Sequence, residues 1–146
     1  MIYLFDTDHF SILQRKAGPE YVRLSTWMIS YAPSDFACSV VSLHEQVVGA
    51  HAFLNQAKNS VGLMRGYPLL ERLPKDYLAF TLLPFDAASA AIYDQLSSQN
   101  LPVGTMDLRL ASIALTRNLR ILTRNLRDFS QVPGLHCEDR TAGSRE

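Results

Sequence analysis

The sequence lacks the features of a secreted or membrane protein. No apolar run among its 146 residues approaches the ~20 residues that a membrane-spanning helix needs. No basic segment precedes the short apolar run at the N-terminus, so we expect no signal peptide. The two cysteines, Cys38 and Cys137, match no zinc spacing and no disulfide framework, which favours a reducing compartment. These absences predict a cytoplasmic protein with no membrane association.

The sequence also lacks an excess of charge and a histidine metal motif. Fourteen Lys and Arg residues balance 14 Asp and Glu residues, so overall charge does not indicate binding to nucleic acid or membranes. The four histidines show no ligand spacing such as HxxxH, and we expect each to be exposed or internally hydrogen-bonded. Apolar residues make up 47% of the chain, enough for one core. We predict a single domain over residues 1–138 and a polar, loosely held tail over 139–146.

Short apolar runs that favour β-structure alternate with helical segments. The predicted strands are residues 2–5, 36–41, 81–85, 119–123 and 135–137. Pro84 argues against a central position for the third strand. Pro68 and Pro74 interrupt the helical pattern of residues 61–79, which predicts two short helices there. The alternation predicts an α/β domain that is doubly wound around a mainly parallel sheet.

Four carboxylates follow predicted strands or lie near the start of the next helix. Asp6 ends the first strand, and Glu45 lies in the first turn of the helix after the second. Asp107 opens a later helix, and Asp128 follows the fourth strand. In a parallel sheet these positions share one edge, so we expect the carboxylates to converge. Converging carboxylates repel one another unless a hard cation such as Mg²⁺ or Mn²⁺ joins them, and such a cation activates water for attack on a phosphodiester.

The same acids also have structural explanations. Asp8 would cap the first helix, leaving Asp6 as a turn residue. The segment Ser42–Glu45 matches a capping box, in which the Glu45 side chain reaches back to the Ser42 amide. The helix dipole favours Asp107 in a first turn whether or not it has a function. The case for a site therefore depends on the shared edge of the sheet.

Arginines are concentrated near the last two of these acids. Residues 104–127 contain five arginines and one acid, Asp107, a local balance of +4. Arginine suits bidentate contact with phosphate, so a chain of zero net charge can still offer phosphates a basic rim. We assign phosphate contact to Arg124 and Arg127, which share a loop with Asp128. The alternative is that Asp128 pairs with one of these arginines in solvent.

Four segments, taken together, resemble a known family. They are LFDTDHFS, SVVSLHEQ, VGTMDLRLASIAL and ILTRNLRDFSQVPGL, in that order and at this chain length. They resemble PIN-domain ribonucleases and, more narrowly, the VapC toxins of bacterial toxin–antitoxin pairs. The resemblance covers both ends and most of the chain, apart from about residues 55–80 and the tail. It implies a three-layer α/β/α domain that hydrolyses single-stranded RNA with Mg²⁺ or Mn²⁺.

The resemblance also implies roles for individual acids. The core acids that bind the metal and carry catalysis would be Asp6, Glu45 and Asp107. The family places a fourth acid at the position of either Asn125 or Asp128. Because the first is an amide here, we assign the fourth catalytic and metal-binding position to Asp128. Asn125 would then contribute through water.

The resemblance further implies the surroundings and partners of the site. The hydroxyls around the metal would be those of Thr7, Ser11 and Thr123. A homodimer is expected, as is a cognate VapB antitoxin whose C-terminal segment is buried in the active-site groove.

Two alternatives remain open from the sequence. Asp6-x-Asp8 after a first strand also resembles the start of a haloacid-dehalogenase phosphatase, in which Asp6 would be the nucleophile. Against this, no later lysine and acidic motif follows in the expected order, and 146 residues is short for that fold. The other alternative is a catalytically silent PIN-like module that binds protein or RNA, but the presence of all four acids argues against it.

Overall fold

Five short strands and seven α-helices alternate along residues 1–143, the part of the chain that this computed structural model describes. The strands are β1 Tyr3–Phe5, β2 Phe36–Ser39, β3 Thr81–Leu83, β4 Arg120–Leu122 and β5 Cys137–Glu138. The α-helices are α1 Thr7–Arg15, α2 Pro19–Met28, α3 Val40–Asn55, α4 Ser60–Tyr77, α5 Ala87–Ser97, α6 Thr105–Thr116 and α7 Leu126–Phe129, and a short 3₁₀ helix spans Pro33–Asp35. Among these helices, none is long and apolar enough to cross a membrane.

The strands form one sheet in the order β3-β2-β1-β4-β5, and every neighbouring pair is parallel. Tyr3 is in register with Phe36 on one side and with Arg120 on the other. β3 is an edge strand that ends immediately before Pro84, where the missing N–H of proline does not interrupt the sheet. The prediction of an α/β domain with a mainly parallel sheet is confirmed.

Helices cover both faces of the sheet, which gives the predicted three layers. Alternate side chains of β1 point to opposite faces: Leu4 lies in one apolar cluster, and Tyr3 and Phe5 lie in the other. The Leu4 cluster packs against α6 through residues such as Ile113. The opposite cluster is aromatic, and Phe5 stacks on Phe36 with ring centroids 5.5 Å apart. Both faces of the central strands are therefore buried, as the apolar runs require.

α4 is one continuous helix, so the prediction of two short helices between residues 61 and 79 is wrong. Pro68 and Pro74 each remove a backbone donor inside the helix. Packing compensates for this loss, because Leu73 and Tyr77 are buried in the aromatic cluster. Tertiary contacts thus outweigh the local preference of the two prolines.

The start of the C-terminal segment is packed rather than loose. Thr141 is buried, and its carbonyl accepts a 2.6 Å hydrogen bond from Nε of Arg23. The Arg140 guanidinium lies 4.7 Å from the centroid of the Trp27 ring. The expectation of a loosely held tail is therefore wrong for residues 139–141, while residues 144–146 lie outside the described part of the chain. The division of the chain at residue 138 stays a prediction.

Candidate active site

The order of the strands places a candidate site between β1 and β4. The chain moves from β1 to β2 and β3 on one side, then crosses β1 to form β4 and β5 on the other. Ligands of such sheets bind at the carboxyl ends of the strands where this direction changes. Asp6 directly follows β1 and Thr123 directly follows β4, so both lie at that point.

Asp6 is buried at this point and also caps α1. Its Oδ1 accepts a 2.7 Å hydrogen bond from the backbone N–H of His9, and its side chain is almost inaccessible to solvent. Burial raises the pKa of Asp6 to about 7, and the charges of Asp8 and Asp107 add to that rise. Hydrogen bonds from the His9 amide and the Thr123 hydroxyl oppose it. The expectation that Asp8 caps this helix is wrong, since the N-cap is Asp6 and the helix begins at Thr7, two residues earlier than that role requires.

Glu45 faces α1 instead of capping its own helix. The N-cap of α3 is Ser39, whose hydroxyl accepts from the Ser42 amide at 3.2 Å. Glu45 therefore lies beyond the first turn of α3, and its Oε1 accepts a 2.8 Å hydrogen bond from the Thr7 hydroxyl. The Thr7 oxygen is also 3.1 Å from the Ser42 hydroxyl. The capping-box explanation of Glu45 is wrong, and Thr7 holds this carboxylate toward the end of β1.

Asn125 links the two remaining acids. Its side-chain amide donates to Oδ2 of Asp107 at 3.3 Å and to Oδ2 of Asp128 at 3.0 Å. Asp107 lies in the first turn of α6, whose N-cap is Gly104. Burial raises the pKa of Asp107, the charges of Glu45 and Asp128 raise it further, and the Asn125 amide opposes the rise.

The four predicted acids therefore converge on one edge of the sheet. Asp107 is close enough to Asp6, Glu45 and Asp128 for their charges to act on one another. Carboxylates in such an arrangement repel one another, and a cation relieves that repulsion. The structure thus brings together the acids that the sequence placed at the shared edge, although their roles in catalysis stay predictions.

A tighter group lies beside these acids and was not predicted. The possible ligand atoms of Asp6, Asp8 and His9 all lie within 4.8 Å of one another, the one such set found within residues 1–143. Asp8 is already engaged, because Nε and Nη2 of Arg124 donate to its two oxygens at 2.6 and 2.7 Å. This bidentate ion pair lowers the pKa of Asp8.

His9 is fully buried, and only one of its ring nitrogens has a partner. Its Nε2 accepts a long, 3.4 Å hydrogen bond from the Arg140 amide. Within residues 1–143, its Nδ1 has no hydrogen-bond partner and lies 3.6 Å from Oδ1 of Asp6. Burial lowers the pKa of His9 to about 4, so the ring is neutral at ordinary pH. The expectation of an exposed or satisfied histidine is wrong for His9.

Comparisons with known proteins agree with this fold. No family model matches the chain. A tRNA(fMet)-specific endonuclease VapC from Salmonella typhimurium is 28% identical over 141 residues, which cover 94% of this chain and 96% of that protein. A ribonuclease VapC from Rickettsia bellii is 42% identical over 60 residues, 38% of this chain and 45% of that protein. The chain is therefore similar to VapC ribonucleases over nearly its full length. The resemblance seen in the four sequence segments is confirmed, and the alternative of a haloacid-dehalogenase phosphatase is wrong.

Solved structures with the same architecture match nearly the whole chain. The crystal structure of FitAcB from Neisseria gonorrhoeae matches with a TM-score of 0.73 at 24% identity, over 95% of this chain and 98% of that one. DNA-bound VapBC from Salmonella typhimurium matches with a TM-score of 0.68 at 25% identity, over the same shares of the two chains. The predicted three-layer PIN-like fold is thereby confirmed over nearly the full length.

The hydroxyls predicted to surround the site differ in position. The Thr7 hydroxyl contacts Glu45 directly. The Thr123 hydroxyl acts on the Asp6 carboxyl and accepts from the backbone N–H of Asn125 at 2.9 Å. Ser11 is one step removed, because its hydroxyl donates to the Thr7 carbonyl at 2.8 Å. Ser11 therefore supports the helix that carries Thr7 without bonding to a predicted acid.

The two arginines predicted to contact phosphate also differ. Arg127 is exposed on α7, one residue before Asp128. Arg124 is exposed too, but its guanidinium is paired with Asp8 in the bidentate contact described above. This ion pair joins residues 116 positions apart, which no local pattern in the sequence indicates. Among residues 1–143, neither Arg124 nor Arg127 forms an ion pair with Asp128, so the surface ion pair suggested for Asp128 is wrong.

Proposed function

We propose that this protein is a metal-dependent endoribonuclease that hydrolyses phosphodiester bonds of single-stranded RNA, acting as the toxin of a VapBC pair. The observation that carries the proposal is the convergence of Asp6, Glu45, Asp107 and Asp128 where the order of the sheet reverses. The names of the relatives support it, since they are a ribonuclease and a tRNA(fMet)-specific endonuclease.

Mg²⁺ or Mn²⁺ fits the donors that converge here. All four acids offer carboxylate oxygens, which hard divalent cations prefer. A hydrated Mg²⁺ keeps several waters, so it suits carboxylates that do not form a single tight cluster. Asp6, Glu45, Asp107 and Asp128 would hold the cation, some directly and some through water. When bound, the cation would supply an activated water and neutralise charge on the phosphate under attack.

The protein's own contribution is to hold the acids in place before substrate arrives. The His9 amide and Thr123 hydroxyl fix Asp6, and the Thr7 hydroxyl fixes Glu45. The Asn125 amide holds Asp107 and Asp128 at a common point. Fixed ligands reduce the reorganisation that binding and reaction require.

Arg127 and Arg124 would steer the RNA backbone toward these acids. Arg127 is exposed beside Asp128 and offers bidentate contact to a phosphate. Arg124 contributes only after exchanging its Asp8 partner for a phosphate. The two arginines therefore differ in the cost of binding RNA, which makes Arg127 the stronger candidate.

A cognate VapB-type antitoxin and a homodimer complete the proposal. Solved structures of similar chains include VapBC complexes from Rickettsia felis and Salmonella typhimurium, each bound to DNA. Apolar side chains exposed along and just after α3 and α4 support burial against a protein partner; they include Val48, Met64 and Leu78.

Replacement of Asp6 tests the proposed catalytic role. Asp6→Asn keeps the cap of α1, because an amide oxygen still accepts from the His9 N–H, but it removes the charge. We expect RNA cleavage to fall at least about 100-fold with the fold retained. Asp94→Asn, an exposed carboxylate on α5, is the matched control and should cleave like the original protein. Full activity of Asp6→Asn would remove Asp6 from the mechanism.

A further inference from the structure

We propose that the imidazole of His9 is a positioning group for Asp6, with Nδ1–H directed at the carboxylate and Nε2 held by residues 139–141. The inference rests on the proposed function, in which Asp6 binds a divalent cation. It adds a contact that none of the sequence motifs indicated, between the first helix and the end of the chain.

The His9 ring lies between the carboxylates of Asp6 and Asp8 on one side and the C-terminal segment on the other. The residue has no solvent exposure, and its backbone amide already donates to Oδ1 of Asp6 at 2.7 Å. Its Nδ1 lies 3.6 Å from the same oxygen and has no partner among the described residues. A buried polar atom without a partner is rare and unfavourable, so its location beside a buried carboxylate calls for an explanation.

The contacts of Nε2, the other nitrogen of the His9 ring, indicate which of the two ring nitrogens carries the proton. The Arg140 amide donates to Nε2 at 3.4 Å, and a nitrogen that accepts a hydrogen bond must carry a lone pair. The proton of the neutral ring therefore lies on Nδ1, facing Asp6. Asp139 Oδ1 is 3.7 Å from Nε2, but it already accepts from the amide and hydroxyl of Thr141 at 2.8 and 2.6 Å.

The C-terminal segment is itself held in place, which fixes the ring. Arg23 on α2 donates to the Thr141 carbonyl, and the Arg140 guanidinium packs over Trp27. A continuous set of contacts thus runs from α2 through residues 139–141 and His9 to the Asp6 carboxylate. Partners that orient a metal ligand in this way contribute to metal affinity without touching the metal.

Two variants of similar size, His9→Asn and His9→Leu, distinguish the effect of the Nδ1–H donor from the effect of losing the packing of the ring. The Asn side chain places an amide nitrogen near the position of Nδ1, whereas Leu places a methyl group there. We expect His9→Leu to weaken Mn²⁺ binding by the full chain about tenfold, measured by titration with detection of free Mn²⁺. His9→Asn should stay within about threefold of the original protein. Equal affinity in all three proteins, or equal loss in both variants, would overturn the proposal.

A second measurement uses the original protein, so it does not depend on whether a variant folds. Nitrogen-15 NMR of the histidine rings distinguishes the two neutral tautomers, and we expect the proton of His9 on Nδ1. A proton on Nε2 would overturn the proposal, as would imidazole nitrogen coupling to bound Mn²⁺ in pulsed EPR, which would make His9 a ligand. If the original protein bound no Mn²⁺, the proposed metal-dependent function would fail. The tautomer of His9 would still show whether its Nδ1–H faces Asp6.

Discussion

Asp6 serves both the fold and the proposed chemistry. Its Oδ1 caps the N-terminus of α1 by accepting a hydrogen bond from the His9 amide, an arrangement that favours an ionised carboxylate. Burial and the nearby charges of Asp8 and Asp107 favour the neutral acid instead. The second influence is larger, and the pKa of Asp6 rises to about 7. A bound cation would reverse this balance by stabilising the charged form.

This raised pKa predicts how stability depends on pH without metal. The folded protein keeps the Asp6 proton up to about pH 7, whereas the unfolded chain releases it near the usual aspartate pKa of 3.8. The folded state thus binds more protons between these values, so the free energy of unfolding falls as pH rises from about 4 to 7. At about 1.4 kcal/mol per pKa unit, the share of Asp6 in this fall is at most about 4 kcal/mol.

Urea unfolding in EDTA at pH 5 and pH 8 measures this share. The loss of stability between the two values should be smaller in Asp6→Asn, which cannot titrate, than in the original protein. Asp94→Asn should lose as much as the original. An identical pH dependence in Asp6→Asn and the original protein would show that the carboxyl is not held neutral by burial.

At the scale of elements, α4 is the helix that the sequence predicted least well, and it packs closely on α3. A Cβ added at Gly66 on α4 would overlap Cδ2 of Leu54 and lie 2.9 Å from its Cγ and 3.0 Å from Cδ1 of Phe53. The two helices approach this closely because Gly66 has no side chain. Contact along this line explains why α4 continues through Pro68 and Pro74.

A matched pair of helical glycines tests this packing. Gly66→Ala should lower the free energy of unfolding by about 1–3 kcal/mol, because the added methyl group must displace Leu54 and Phe53. Gly49→Ala on α3, where the described residues leave open space, should raise it by up to about 1 kcal/mol through helix propensity. Chemical unfolding measures both. Stabilisation of similar size in the two variants would mean that α3 and α4 do not pack closely at Gly66.

The elements that the sequence predicted well are those specified locally. The apolar runs of β1 and β2 depend on neighbouring residues, and the structure has them with boundaries shifted by one or two positions. The continuity of α4 depends on a partner helix, which local rules do not include. The same holds for the pairing of Asp8 with Arg124 and for the burial of His9 under residues 139–141.

At the scale of the whole molecule, the parallel sheet explains why the acids could be predicted from sequence. Asp6, Glu45, Asp107 and Asp128 come from four separate parts of the chain, yet each follows a strand or lies near the start of a helix. Parallel strands bring such positions to one edge, so their convergence follows from the topology. The hydrogen bonds that fix them, such as those of Asn125, follow from side-chain packing and needed the structure.

Metal-dependent RNA cleavage tests the central claim most directly. Purified protein, shown to be folded and free of antitoxin, is incubated with pooled small RNAs in Mn²⁺ or in EDTA, beside Asp107→Asn and Asp94→Asn. We predict discrete products from the original protein and from Asp94→Asn in Mn²⁺, and none in EDTA or from Asp107→Asn. Cleavage that persists in EDTA or in Asp107→Asn, or no cleavage under any condition, would contradict the account.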